Sequence, residues 1–298
     1  MATVPGKTTK MPLGHEEARI DIPAPTGAQR LATFPWWFAA LVLIALTTGY
    51  FIATRENFTE AFNFIKIGLG ITVLVTLIAF GLALVLGLLA GLARISRNVF
   101  FNNLGTLYVE LIRGIPMLVL IFFIALVAVP TAVEAMNAIG DFLAEQGGVW
   151  TALSAPFLAI TIQDVPTIAR AVIALAITYG AFLAEIFRAG IQSIGRGQME
   201  ASRSLGMSYA QAMRHIILPQ AIRNVLPALG NDFIAMVKDT SLVSVLAVRD
   251  ITQVARLYAG SSFRFRESYL ILSVMYLTIT VILSVLVQRL ERRLGKNE

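Results

Sequence analysis

Residues 67–93 read IGLGITVLVTLIAFGLALVLGLLAGLA and hold no ionisable side chain. As a helix such a run is about 40 Å long, and hydrocarbon about 30 Å thick needs only roughly 20 apolar residues to cross it. Comparable runs cover 34–53, 106–130, 169–192, 225–248 and 268–289, so six spans are expected. Charged residues are 14% of the chain and collect in the gaps between these runs, whereas a soluble domain would sprinkle them along its surface. In hydrocarbon a backbone must bond to itself, so the expected fold class is all-α, a polytopic membrane protein with about six transmembrane helices.

Direction follows from the basic residues. Lys7, Lys10, Arg19 and Arg30 precede the first run, and Arg94 and Arg97 follow the second. Arg188, Arg196, Arg203, Arg214 and Arg223 cluster at or after the end of the fourth, and Arg289, Arg292, Arg293 and Lys296 close the chain. An even number of crossings separates these groups, so all face the cytoplasm under the positive-inside rule and both termini are expected inside. The net charge of +6 therefore reports orientation in a bilayer, not affinity for nucleic acid. Residues 1–33 are polar, with Pro5, Pro12, Pro23 and Pro25, and read as a disordered cytoplasmic tail without a cleavable leader. Pro35, Trp36 and Trp37 open the first span as an interfacial belt.

Two segments strain this scheme. Residues 149–164 are apolar but short and broken by Pro156; a span there would send the 196–223 cluster outside, so the segment reads as external or re-entrant. The loop 249–266 falls outside yet carries Arg249, Arg256, Arg264 and Arg266. Ala83, Gly87 and Gly91 form a small-residue stripe at four-residue spacing that invites close approach of another helix, more readily within the chain than from a second copy.

Between the fourth and fifth runs lies MEASRSLGMSYAQAMRHIILPQ, residues 199–220, too short and polar to span. Gln198 to Leu205 suits a short helix, and Gly206 stands where a left-handed cap is wanted. Ser208 and Gln211 make a capping box for a second helix, and Tyr209, Ala212, Met213, Ile216 and Ile217 give it one apolar face. Pro219 is expected to stop it. On periodicity alone this element is either an interfacial helix or a lever that docks a cytoplasmic partner.

No motif in the sequence points to enzymatic or metal chemistry. Gly6, Lys7 and Thr8 end like a phosphate-binding loop, but Met1 occupies the first glycine position and the tail is proline-rich. His15, Glu16 and Glu17 begin a zinc-protease pattern that fails at Arg19. No cysteine and only two histidines leave no expected metal ligands.

The quoted loop resembles the signature E-A-A-x3-G-x9-I-x-L-P of permease subunits in bacterial ATP-binding cassette importers, carried here by Glu200, Ala201, Gly206, Ile216, Leu218 and Pro219, with Ser202 in place of the second alanine. YVELIRGIPMLV from Tyr108, YGAFLAEIFRAGIQSIGRGQMEA from Tyr179, LPALGNDFIAMVKDTSLVSVLAV from Leu226 and the closing LVQRLERRL are similar to permeases of the polar amino acid uptake group. The resemblance implies a type I importer permease domain over 67–293, with 34–53 an added helix and 131–168 an external insertion. It implies that 198–224 forms the cytoplasmic coupling loop, with Tyr209 and Met213 among its contact residues. Two separate ATP-binding subunits would hold ATP and Mg, leaving none in this chain. A second permease, identical or paralogous, and a periplasmic or surface binding protein would complete the importer in the inner membrane.

Ionisable groups inside a bilayer are costly, so those in the fifth run are expected to have work to do. Asn231, Asp232, Lys238, Asp239, Thr240, Ser241 and Ser244 could meet a substrate carrying both ammonium and carboxylate, with Glu185 contributing from the fourth run. The alternative is a packing ion pair, such as Lys238 with Glu185, or Glu185 with Arg188 at headgroup level. An ion-coupled carrier, or a membrane anchor without flux, remains the alternative to an ATP-driven permease.

Overall fold

The computed structural model describes residues 36–294, and every regular element among them is helical. The tail 1–33, Pro35 and Lys296 lie outside the described residues. Contacts divide the chain into Met1–Leu43 and Ile44–Glu298. The described part of the first unit is the opening of helix α1 (Trp36–Thr54), apolar on every face.

In the second unit α2 (Glu56–Ile65) is amphipathic and buries Phe58, Ala61 and Ile65. A 3-10 turn at Lys66–Gly68 joins it to α3 (Leu69–Arg94), so the rod starts at 56, well before the expected span. The turn is tight: a Cβ on Gly68 would stand 2.6 Å from the backbone of Asp250 and Ile251.

The core forms where α3 meets α8 (Thr167–Ser193). Val75, Ala79 and Ala83 of α3 and Leu175, Leu183 and Ala184 of α8 are fully buried. The small-residue stripe serves this contact within the chain, since a Cβ on Gly87 would lie 2.6 Å from the Leu183 Cβ and one on Gly91 2.9 Å from the Ala184 carbonyl. Gly87→Val is expected to lower stability by about 1–3 kcal/mol through overpacking. Gly81→Val, on the same helix where a Cβ meets nothing within 4 Å, serves as control in thermal unfolding in detergent.

The third run departs from expectation. No helix covers 106–130; α4 (Val99–Arg113) ends at Gly114, and Pro116 starts a new rod through α5 (Met117–Phe123), a π turn at Ile124–Ala128 and α6 (Val129–Glu145). Proline disfavours a helical residue before it and is well placed at a helix start, so Ile115–Pro116 resets the chain inside an apolar stretch that hydropathy reads as continuous. Residues 131–145 therefore extend a span-length helix. Gly147 and Gly148, both at positive φ, then turn the chain into α7 (Val149–Leu158), which packs back on α6 where Gly140 meets Leu158.

Pro219 does not stop its helix either. After α9 (Arg196–Ser204) and the Gly206 turn, α10 (Tyr209–Ala212) runs through a π turn at Met213–Ile217 into α11 (Leu218–Asp239). The Leu218 N–H donates five residues back to Met213, just as Val129 donates to Ile124 ahead of Pro130. Widening the helix by one residue immediately before a proline relieves the clash with the preceding turn and lets the rod continue.

The fifth run departs too: α11 ends at Asp239, not 248, and continues as a 3-10 segment, Thr240–Leu246. Asp250 then caps α12 (Ile251–Ser262), accepting from the Gln253 and Thr252 N–H groups. The last rod is α13 (Phe265–Leu294). Ile251, Ala255 and Tyr258 of α12 share a core with Phe58, Ala61 and Ile65 of α2 and Ile271 and Leu272 of α13. Here one arginine of the 249–266 loop finds its partner, because Arg264 is paired with Glu60.

Candidate functional site

The predicted loop residues and, apart from Glu185 on α8, the predicted pathway residues lie toward opposite ends of one helical rod. At the loop end, the Gly206 N–H donates to Arg203 and the Met207 N–H to Ser202, the bond pair of a Schellman motif with Gly206 at φ +82°. The Arg203 guanidinium donates to the Met207 carbonyl at 2.9 Å, holding the turn from outside. Ser208 then opens the next helix with both bonds of the capping box.

This turn sorts the predicted loop residues onto two sides. Ser202 is buried, its hydroxyl donating to the Gln198 carbonyl, so the position demands a small side chain. Met213, Ile216 and Leu218 pack against Ile191, Ile217 and Ala221 and fasten the loop to the ends of α3 and α8. Glu200, Ala201, Leu205, Gly206 and Pro219 are exposed, with Leu205 84% accessible at the apex, and Tyr209 stands half exposed at the edge.

At the other end the Tyr179 hydroxyl donates to Asp239 Oδ2 at 2.7 Å. Tyr179 lies near the middle of α8, so α11 ends level with the centre of a helix long enough to span. Thr240 and Ser244 are buried in the 3-10 segment, Ser241 is half-buried, and Lys238 is exposed, with no ion pair among the described residues. The α-helix thus gives way to a 3-10 segment level with the middle of a span-length neighbour, and hydroxyls, a carboxylate and an ammonium stand at the break.

Glu185 does not join this group. It is paired with Arg94 of α3, and it meets Arg188 at 2.8 Å and Arg113 of α4 at 3.3 Å. The packing pair with Lys238 is not formed, and that with Arg188 is, inside a larger cluster. Sequence reasoning missed Tyr179, Arg94 and Arg113, whose partners stand 60, 91 and 72 residues away along the chain.

Residues 83–296 match the family model described as the binding-protein-dependent transport system inner membrane component. The probable glutamine ABC transporter permease protein GlnM of Bacillus subtilis (strain 168) is 38% identical over 76% of this chain and 91% of its own length. The glutamine transport system permease protein GlnP of Escherichia coli (strain K12) is 34% identical over the same shares. Among solved structures, one titled as an amino acid ABC transporter with histidines superposes with a TM-score of 0.62 at 35% identity, over 81% of this chain and 98% of its own.

Proposed function

The chain belongs to the inner membrane components of binding-protein-dependent transport systems, as a multi-pass permease subunit of an ATP-binding cassette importer and not itself an enzyme, and on that premise we propose that it carries polar amino acids. An ATPase and a substrate-binding protein are the partners this family works with. In our reading two ATPase subunits, holding ATP and Mg, grip the exposed face made by Glu200, Ala201, Leu205 and Gly206. A second permease completes the pathway, and both termini lie in the cytoplasm.

One observation supports this most directly. From the Gly206 turn a single rod runs from Tyr209 to Asp239, about 45 Å at helical rise, and ends on Tyr179 beside Lys238, Thr240, Ser241 and Ser244. In this reading movement of the ATPases reaches the polar break along one continuous helical rod. Closure on ATP biases the spans toward one face of the membrane and release toward the other, a population shift whose size is set by differential binding. Glu185 and its arginines brace this machinery and do not line the path.

Reconstitution with ATPase and binding protein tests the assignment. Lys238→Ala and Asp239→Ala are each expected to cut amino acid uptake at least about tenfold, because each removes a charged group that the break offers to a solute carrying both charge signs. Comparison is made at matched ATPase activity; normal uptake by both variants removes the break from the pathway.

A further inference from the structure

A cleft of about 410 Å³ lies beside the coupling turn, lined by Ser96, Arg97, Asn98, Met199, Arg203 and Tyr209. Its cations are uncompensated: among the described residues neither Arg97 nor Arg203 makes an ion pair. Met199 and Arg203, four apart, share one flank of α9, whereas Glu200 and Ser204 occupy the next, so the cleft and the exposed docking face are adjacent but distinct.

What adjoins the cleft is apolar. Immediately after Asn98, α4 exposes Val99 at 73%, Phe100 at 68% and, further along, Leu104, Leu107 and Leu111. Basic and hydrogen-bonding groups next to an exposed apolar helix face, at the cytoplasmic end of the spans, match an anionic lipid: phosphate in the cleft, acyl chains along α4. A soluble anion would gain nothing from that apolar margin. We propose that this cleft binds the headgroup of an anionic phospholipid, seating membrane lipid against the coupling turn.

The inference rests on the cytoplasmic placement proposed above, but its test does not need transport. The transporter complex is purified in detergent from mixed phosphatidylcholine and phosphatidylglycerol, and the retained lipid is quantified. Arg97→Gln is expected to lower retained phosphatidylglycerol about fivefold, the factor for one basic side chain at an anionic surface, while Arg97→Lys retains most of it. Equal retention by wild type and Arg97→Gln overturns the proposal. So does displacement of the lipid by millimolar inorganic phosphate, which marks a general anion site, or loss of the ATPase from Arg97→Gln with lipid unchanged, which gives the cleft to an acidic partner side chain. ATP-driven uptake by wild type in pure phosphatidylcholine, measured separately, reports on the transport reading alone.

Discussion

Gly206→Val is expected to release the ATPase from the permease and to reduce ATP-driven uptake at least tenfold, while leaving the membrane body folded. Gly206 sits at φ +82° with nothing within 4 Å of where its Cβ would be, so the obstacle is backbone conformation, not space. For a β-branched residue the left-handed region costs about 2 kcal/mol or more, a penalty that matches the net worth of the two bonds closing the turn at about 1 kcal/mol each. The turn then opens, the capping box at Ser208 loses its register, and the exposed Leu205 no longer stands at a fixed point above the rod. Gly206→Ala, with a smaller left-handed penalty of about 1 kcal/mol, is expected to fall between the two. Glu200→Arg changes the charge of the docking face without touching the turn, and its effect on co-purification separates recognition from geometry. Full ATPase retention by Gly206→Val would show that a rigid turn is not what the motor holds.

How legible was this arrangement beforehand? The features set by local chemistry were. A charge-free run over 67–93 has to be a helix, Ala83, Gly87 and Gly91 have to meet another helix closely, and Gly206 with Ser208 and Gln211 specifies a cap followed by a start. What failed depended on reading composition through a backbone event. Hydropathy averaged across Pro116 joins α4 to the rod that begins at Met117, although the proline breaks the hydrogen-bond ladder between them. Pro219 looked like a stop because the rule assumes a regular helix, whereas a π turn upstream absorbs the ring. The break after Asp239 lies within an apolar run, and only the hydroxyls of Thr240, Ser241 and Ser244 hint at it. Partners were least legible: nothing near Asp239 in sequence announces Tyr179, and Glu185 shows its i+3 neighbour Arg188 but not the arginines from α3 and α4.

Those arginines carry the second large effect. Glu185 holds three guanidinium groups from three helices, and its own side chain is 21% exposed. Arg94, at 12%, is the most enclosed of them; its other partner, Glu110 at 3.4 Å, is 67% exposed and screened by solvent. Glu185→Gln keeps size and shape but removes the anion, so Arg94 is left enclosed among like charges. Breaking such a pair from one side costs about 3 kcal/mol here, the low end of the range because Arg113 and Arg188 reach solvent. In a chain of 298 residues that corresponds to a fall in Tm of roughly 5 °C. The companion Arg94→Gln in the Glu185→Gln background is expected to restore part of the loss, since the double variant buries no unpaired charge and the two effects are therefore not additive. A surface origin predicts otherwise, namely a shift near zero that vanishes in high salt. Because α8 also carries Tyr179, loosening its grip on α3 and α4 shifts the helix against which the rod presses. An importer assembled with Glu185→Gln should accordingly move less solute for each ATP its ATPase hydrolyses, even at temperatures where the permease remains folded.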